Sequence, residues 1–147
     1  MLNIFTLENG RLVTIRPDEV ATRKPIWVDA IAPGEDEREW VAKAFSTILP
    51  QPEHLRDIEA SARFYEENGE LHVRSDFLLG KESDSRSVIV AFVLSDNVLF
   101  SVHDEDLPVF QHFRLRSHGQ PDLVADSLDV LIDLYGSDVE FSADALE

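Results

Sequence analysis

Short apolar runs separated by turn signals dominate the first third of the chain. Two such runs, Leu2–Phe5 and Leu12–Ile15, lie on either side of Asn9-Gly10. An Asn-Gly pair between two apolar runs favours a tight β-hairpin. The run Ile26-Trp27-Val28 predicts a third, buried strand.

Two helices are predicted after this strand. The first covers residues 35–48, because its apolar residues recur on one helical face; they are Trp40, Val41, Ala44, Phe45 and Ile48. Its acidic first turn suits the positive end of the helix dipole. Pro52 is expected to open a short second helix that ends near Ala60.

Strand patterns then return in two further hairpins. Ala62–Glu66 and Leu71–Leu79 flank Asn68-Gly69. Ser87–Leu94 and Val98–Val102 flank a turn at residues 95–97, and their nearly continuous hydrophobicity predicts central strands.

The carboxyl-terminal part has helical patterns over residues 108–116 and 122–135. The order of these elements, with strands followed by helices, a strand meander and further helices, predicts one domain, 1–147, of the α/β (α+β) class. In it a mixed, largely antiparallel sheet is covered by helices. Residues 1–103 are strand-rich and residues 104–145 helical. Leu146 and Glu147 are consistent with a cloning scar, in which case the chain is cut from a longer protein.

Composition and charge restrict the range of possible functions. The net charge of −16 disfavours nucleic acid and anionic membrane surfaces as partners. The absence of cysteine excludes disulfides and thiolate catalysis. No zinc-protease, phosphate-loop or nucleophile-elbow motif occurs, so we expect no enzyme. The longest apolar run, Val88–Leu94, is too short to span a membrane.

Three acidic groupings are candidates for cation binding. Residues 103–106 hold four potential ligands, but consecutive residues rarely converge on a metal, and acids also suit a helix start. Glu53, Asp57 and Glu59 crowd the predicted short helix. The third grouping is a stripe along the last predicted helix, formed by Asp122, Asp126, Asp129 and Asp133. For the group around Asp57, a helix surface and one half of a cation site completed by another element or subunit both remain open. For the stripe, the open alternatives are a solvated face, ligands for Mg²⁺ or Ca²⁺, and a surface that meets a basic partner.

Two smaller sets of residues have simpler interpretations. His112, Arg114 and Arg116 form a basic patch that is expected to pair with local acids. Trp27 and Trp40 are expected in the core.

An ordered set of motifs resembles the amino-terminal cytoplasmic domain of CorA magnesium transporters, most closely those of proteobacteria. The set comprises MLNIFTLENGRL at the start, Ile26–Asp29, DIEASARF at residues 57–64, Leu99–Val102, residues 105–110 and Leu131–Tyr135. It covers nearly the whole chain in the expected order.

The resemblance implies an α/β/α sandwich on the cytoplasmic face of the bacterial inner membrane. It implies a homopentamer, with a stalk and membrane helices outside these residues. Mg²⁺ is then both transported and regulatory ion, with Co²⁺ and Ni²⁺ as further cargo and no organic cofactor. Asp57 matches an acidic position of the family's regulatory site, and Asp133 is a second candidate ligand.

Two alternatives remain beside the magnesium interpretation. The cytoplasmic domain of a ZntB-type zinc transporter shares the architecture. A free-standing acidic protein-interaction module would explain the charge without any transporter.

Overall fold

The computed structural model describes residues 1–51, 64–79 and 86–146. A 3₁₀ turn at Pro17–Glu19 precedes the first helix. The elements in chain order are β1 (Leu2–Glu8), β2 (Arg11–Ile15), α1 (Val20–Arg23), β3 (Trp27–Ile31), α2 (Glu35–Phe45), β4 (Phe64–Glu67), β5 (Glu70–Leu79), β6 (Arg86–Ser95), β7 (Val98–His103), α3 (Pro108–Gly119) and α4 (Ser127–Leu146).

Seven strands form one mixed sheet in the order β2-β1-β3-β7-β6-β5-β4. Among the strands of the described residues, β3 and β7 pair in parallel and the other neighbours are antiparallel. The three predicted hairpins are confirmed. Asn9-Gly10 and Asn68-Gly69 have positive φ at both positions, as the favoured two-residue hairpin turn requires. The predicted central position of β6 and β7 is also confirmed.

Helices cover both faces of the sheet, so the architecture is the predicted α/β/α sandwich. One core lies between the sheet and the pair α3 and α4; its largest members include Trp27, Phe77, Phe92, Phe110, Phe113 and Leu134. The second core lies on the α2 side and includes Val28, Val41, Val93 and Phe100. Alternate residues of β3 and β7 therefore enter different cores.

The predicted helix over residues 35–48 is too long. The helix ends at Phe45, because Ser46 adopts a left-handed conformation with φ of 56°. Ala44 is exposed, and the side chain of Ile48 is 83% exposed. Val41 is buried, and Trp40 and Phe45 pack partly against the same core. Trp27 is fully buried, as predicted.

For the last two helices, the predicted start at Pro108 is confirmed and the other boundaries are wrong. The first begins at Pro108 and runs to Gly119, three residues beyond its predicted end. The second begins at Ser127, not at Asp122, and continues to Leu146. Asp122 has a left-handed φ of 63°, and its N–H donates to the carbonyl of Gly10.

No helix in the part of the chain that the structure describes combines the length and the apolar character needed to cross a membrane.

Candidate functional site

The acidic cluster around Asp57 lies outside the described residues. The predicted short helix from Pro52 to Ala60, with Glu53, Asp57 and Glu59, falls in the gap between residues 51 and 64. The proposed role of Asp57 therefore stays a prediction.

The predicted stripe of four aspartates is not a helix face. Asp122 and Asp126 precede α4. The carboxylate of Asp126 accepts a hydrogen bond from the backbone N–H of Asp129, and the carboxylate of Asp129 accepts one from the N–H of Ala125. These two acids therefore stabilise the helix start, which leaves its first N–H groups without intrahelical partners.

Asp133 lies on α4 and forms an ion pair with Arg116 of α3. Both side chains are about one-third exposed. Within residues 1–51, 64–79 and 86–146, no three His, Asp or Glu side chains are placed so as to hold a metal ion together. A cation at Asp133 would therefore have to compete with the guanidinium of Arg116.

The potential ligands at residues 103–106 point to different partners. His103 is buried, whereas Asp104 is exposed. Asp106 accepts hydrogen bonds from Gln111 at 2.9 Å and from Arg114 at 3.2 Å. The expectation that the basic patch pairs with local acids is confirmed for Arg114 and Arg116, while His112 is exposed.

The most elaborate polar site is a buried network between β3, β7 and α3. Asp29 and Ser101 are neighbours across the parallel strand pair, and His103 lies two residues further along β7. All three are fully buried. They face the same core as Trp27 and Phe110, because residues two apart on a strand share a face.

Asp29 is the centre of this network. Its Oδ1 accepts hydrogen bonds from Ser101 Oγ at 2.7 Å and from His103 Nε2 at 2.6 Å. Its Oδ2 lies 3.5 Å from the guanidinium of Arg114. Trp27 Nε1 donates in turn to Ser101 Oγ at 2.9 Å. A buried carboxylate is thus surrounded by donors from β7 and α3, as burial of a charge requires.

The contacts of His103 fit the doubly protonated imidazolium. Nε2 faces the carboxylate of Asp29, and Nδ1 faces the backbone carbonyl of Glu105. Both partners are acceptors, and only the imidazolium donates from both nitrogens. Burial lowers the pKa of His103, but the hydrogen bond and charge of Asp29, with help from Glu105 and Asp106, outweigh burial and raise it above its usual value.

The combination of Ser, His and Asp is not arranged for nucleophilic catalysis. The hydroxyl of Ser101 donates to Asp29, which is the same carboxylate oxygen that His103 contacts. A catalytic serine would instead donate to the histidine and face substrate. Here all three side chains are sealed from solvent, so the network holds strands and helix together.

The sequence carries a signal for this network that is not part of any catalytic or metal-binding motif. Asp29 and Ser101 interrupt strands that are otherwise apolar, and His103 follows Ser101 with strand periodicity. Polar residues within predicted buried strands need partners. The register that makes Asp29 and Ser101 neighbours comes only from the structure.

A groove beside the β4–β5 turn contains further carboxylates. Glu67, Glu70, His72 and Asp96 line it, and its volume is about 540 Å³. Glu70 accepts a hydrogen bond from Thr47 and lies 3.5 Å from His72 Nε2. The ring of His72 stacks on Tyr65, 4.6 Å away. These contacts engage Glu70 and His72 with protein neighbours.

Several solved structures share this fold. The soluble domain of CorA from Methanocaldococcus jannaschii has a TM-score of 0.67 and 13% identity, covering 95% of this chain and 56% of that chain. The ZntB cytoplasmic domain from Vibrio parahaemolyticus has a TM-score of 0.66 and 13% identity, covering 97% and 60%. Full-length CmaX has a TM-score of 0.72 and 11% identity, covering 98% and 46%. At these identities the similarity shows the fold alone.

Sequence comparison defines the family. The model of the CorA-like Mg²⁺ transporter protein family matches residues 22–147. The chain is 39% identical over 149 aligned residues to the magnesium transport protein CorA of Mannheimia succiniciproducens, and 34% identical to that of Escherichia coli K12. This chain belongs to the CorA-like Mg²⁺ transporter family, which confirms the resemblance found in its motifs.

The alignments cover the whole of this chain and 47% of the length of each of these two relatives. The chain thus spans about half the length of the curated relatives it matches, and the matched half is their amino-terminal part.

Proposed function

We propose that this chain is the cytoplasmic, cation-sensing domain of a CorA-type transporter that moves Mg²⁺. Co²⁺ and Ni²⁺ are further candidate cargo. In the full-length protein five copies would assemble at the bacterial inner membrane, anchored by helices outside residues 1–147. The domain itself would have no enzymatic activity, no organic cofactor and no nucleic-acid partner.

The observation that carries this proposal is the identity of 34–39% to magnesium transport proteins along the entire chain. The sandwich fold supports it independently, since soluble domains from this class of transporter have the same architecture.

The charge of the chain supports a sensing role. Its −16 charge would oppose the close approach of several copies, and a divalent cation between neighbours would offset that repulsion. A cation that binds the closed assembly more tightly than the open one shifts the equilibrium towards closure. We assign the regulatory Mg²⁺ to Asp57, with Asp133 as a second ligand.

A zinc transporter of the ZntB type is the main alternative, because its cytoplasmic domain has the same fold. Transport by the full-length protein separates the two. In cells that lack their own magnesium transporters, its expression should restore growth at low Mg²⁺ and increase Mg²⁺ uptake. Zinc uptake without magnesium uptake would favour the alternative. If the protein increases uptake of neither ion, a free-standing interaction module is favoured.

The sensing role is tested by limited proteolysis of the full-length protein with and without Mg²⁺. Mg²⁺ should slow cleavage of the wild type, and Asp57→Asn should weaken that protection. Asp76→Asn is a matched control, since Asp76 is an exposed carboxylate of β5 and should leave protection unchanged. Equal protection of all three proteins would refute the assignment of Asp57.

A further inference from the structure

We propose that His103 acts as a pH-sensitive latch. Its doubly protonated ring ties β3 and the end of β7 to the segment that precedes α3, and loss of a ring proton as the pH rises loosens that segment. The proposal rests on the buried network alone and is independent of the transporter assignment.

The geometry gives the ring two separate attachments. Nε2 holds the carboxylate of Asp29 on β3 at 2.6 Å. Nδ1 holds the carbonyl of Glu105, in the segment between β7 and α3. A neutral imidazole carries one N–H, so it can keep only one of these two hydrogen bonds. The remaining ring nitrogen would then face an acceptor without a proton between them.

Charged groups from each neighbouring element surround the ring. Asp29 on β3 and Asp106 in the connecting segment favour the charged ring. On α3, Arg114 bridges the two acids, at 3.5 Å from Asp29 and 3.2 Å from Asp106. Phe110 of the same helix packs its ring centroid 4.7 Å from that of His103. Asp104, the next residue along the chain, is exposed.

Loss of the proton therefore has a local structural consequence. With the ring neutral, Asp29 and Asp106 keep Arg114 as their shared cation, but the carbonyl of Glu105 or the carboxylate of Asp29 loses its donor. The Glu105 contact is the weaker one, since a charged acceptor forms the stronger hydrogen bond. The ring would retain the Asp29 contact and release the carbonyl of Glu105. This loosens the segment that precedes the first turn of α3, while Asp106 stays bound to Arg114.

The protonation state is measured on the wild-type chain by NMR of the histidine ring nitrogens across pH 6 to 10. Both nitrogens of His103 should carry protons above the usual titration range of histidine, at about pH 6.5. A His103 ring that becomes neutral at or below the usual histidine range, at about pH 6.5, would overturn the proposal without any variant being needed.

The release is measured by amide hydrogen exchange, expressed as protection relative to the intrinsic rate at each pH. Above the titration midpoint of His103, protection of Gln111, whose N–H donates to Leu107 in the first turn of α3, should fall up to tenfold per pH unit. Protection of the central strand β6 should follow the stability of the whole chain and stay above that of Gln111. His112→Gln should keep this pH profile, and His103→Gln should flatten it.

Two exchange results would overturn the latch. Equal protection of Gln111 and β6 above the titration midpoint would mean that His103 affects only global stability. If protection of Gln111 does not change with pH while His103 titrates, the proton of His103 does not control the start of the helix.

Discussion

The Nε2 atom of His103 lies 2.6 Å from Oδ1 of Asp29, and neither side chain has any surface exposed to solvent. The two residues come from adjacent parallel strands, 74 positions apart in the chain. This ion pair therefore joins the early and late halves of the domain at the centre of its sheet. Arg114 extends the connection to α3.

Substitution of Asp29 should be strongly destabilising. Asp29→Asn leaves the buried imidazolium without its counter-charge, and breaking a buried ion pair on one side costs about 3–5 kcal/mol. Urea unfolding would measure the change in the free energy of unfolding. Asp76→Asn, which removes an exposed charge from β5, should change it by less than about 0.5 kcal/mol. Equal values for the two variants would contradict the role of Asp29.

The free energy of unfolding should fall as the pH rises through the folded-state pKa of His103. Its pKa is raised in the folded state, by the Asp29 contact acting against burial. The folded protein therefore holds a proton that the unfolded chain releases above about pH 6.5. The contribution of protonated His103 to the free energy of unfolding is complete below that pH, and it is lost as the pH rises through the folded-state pKa of His103. The slope should reach at most about 1.4 kcal/mol per pH unit, as measured by urea unfolding at several pH values. A His103→Gln protein with the same alkaline slope would refute this origin.

The two hairpin glycines should respond differently to alanine. Gly10 and Gly69 both have φ of 78°, so each substitution forces a side chain into a left-handed conformation at about 1–2 kcal/mol. A Cβ on Gly10 would also overlap Oδ1 of Asp122, whereas a Cβ on Gly69 meets nothing within 4 Å. Thermal unfolding should therefore show a larger loss for Gly10→Ala than for Gly69→Ala. Adding Asp122→Gly should recover part of that difference; no recovery would mean that the overlap is not its cause.

The ion pair between Arg116 and Asp133 makes a prediction about metal binding. If Asp133 is a ligand, Mg²⁺ and the guanidinium compete for its carboxylate. In the full-length protein, Arg116→Gln should then tighten Mg²⁺ binding several-fold, and Asp133→Asn should weaken it, as measured by calorimetry. Unchanged binding in both variants would remove Asp133 from the proposed site and leave it a structural partner of Arg116.

Local sequence signals predicted the strands and turns well. Asn-Gly turns and apolar runs define the hairpins, because turn type and side-chain alternation are short-range properties. The helix ends were predicted less well. Ser46 and Asp122 adopt left-handed conformations, although neither is a glycine. The first ends α2 at Phe45, and the second lies before α4, which begins only at Ser127. Periodicity alone continued the helical pattern through both positions.

The buried network could not be predicted in the same way. Asp29 and His103 become partners only because β3 pairs in parallel with β7, through a connection that includes β4, β5 and β6. Asp122 and Asp126 entered the predicted cation stripe because their spacing fits a helix, but they precede α4. The family resemblance supplied the candidate Asp57, which no local pattern distinguishes from its acidic neighbours.

The central claim, that this chain senses Mg²⁺ for a CorA-type transporter, is tested most directly by Mg²⁺ influx. The full-length protein is reconstituted in vesicles that contain a Mg²⁺-sensitive dye, with the internal Mg²⁺ set low or high before external Mg²⁺ is added. Influx should be fast at low Mg²⁺ on the side of this domain and suppressed at high Mg²⁺, and Asp57→Asn should reduce the suppression while Asp76→Asn should not. Absence of Mg²⁺ influx, or influx that is insensitive to Mg²⁺ on the domain side, would contradict the account.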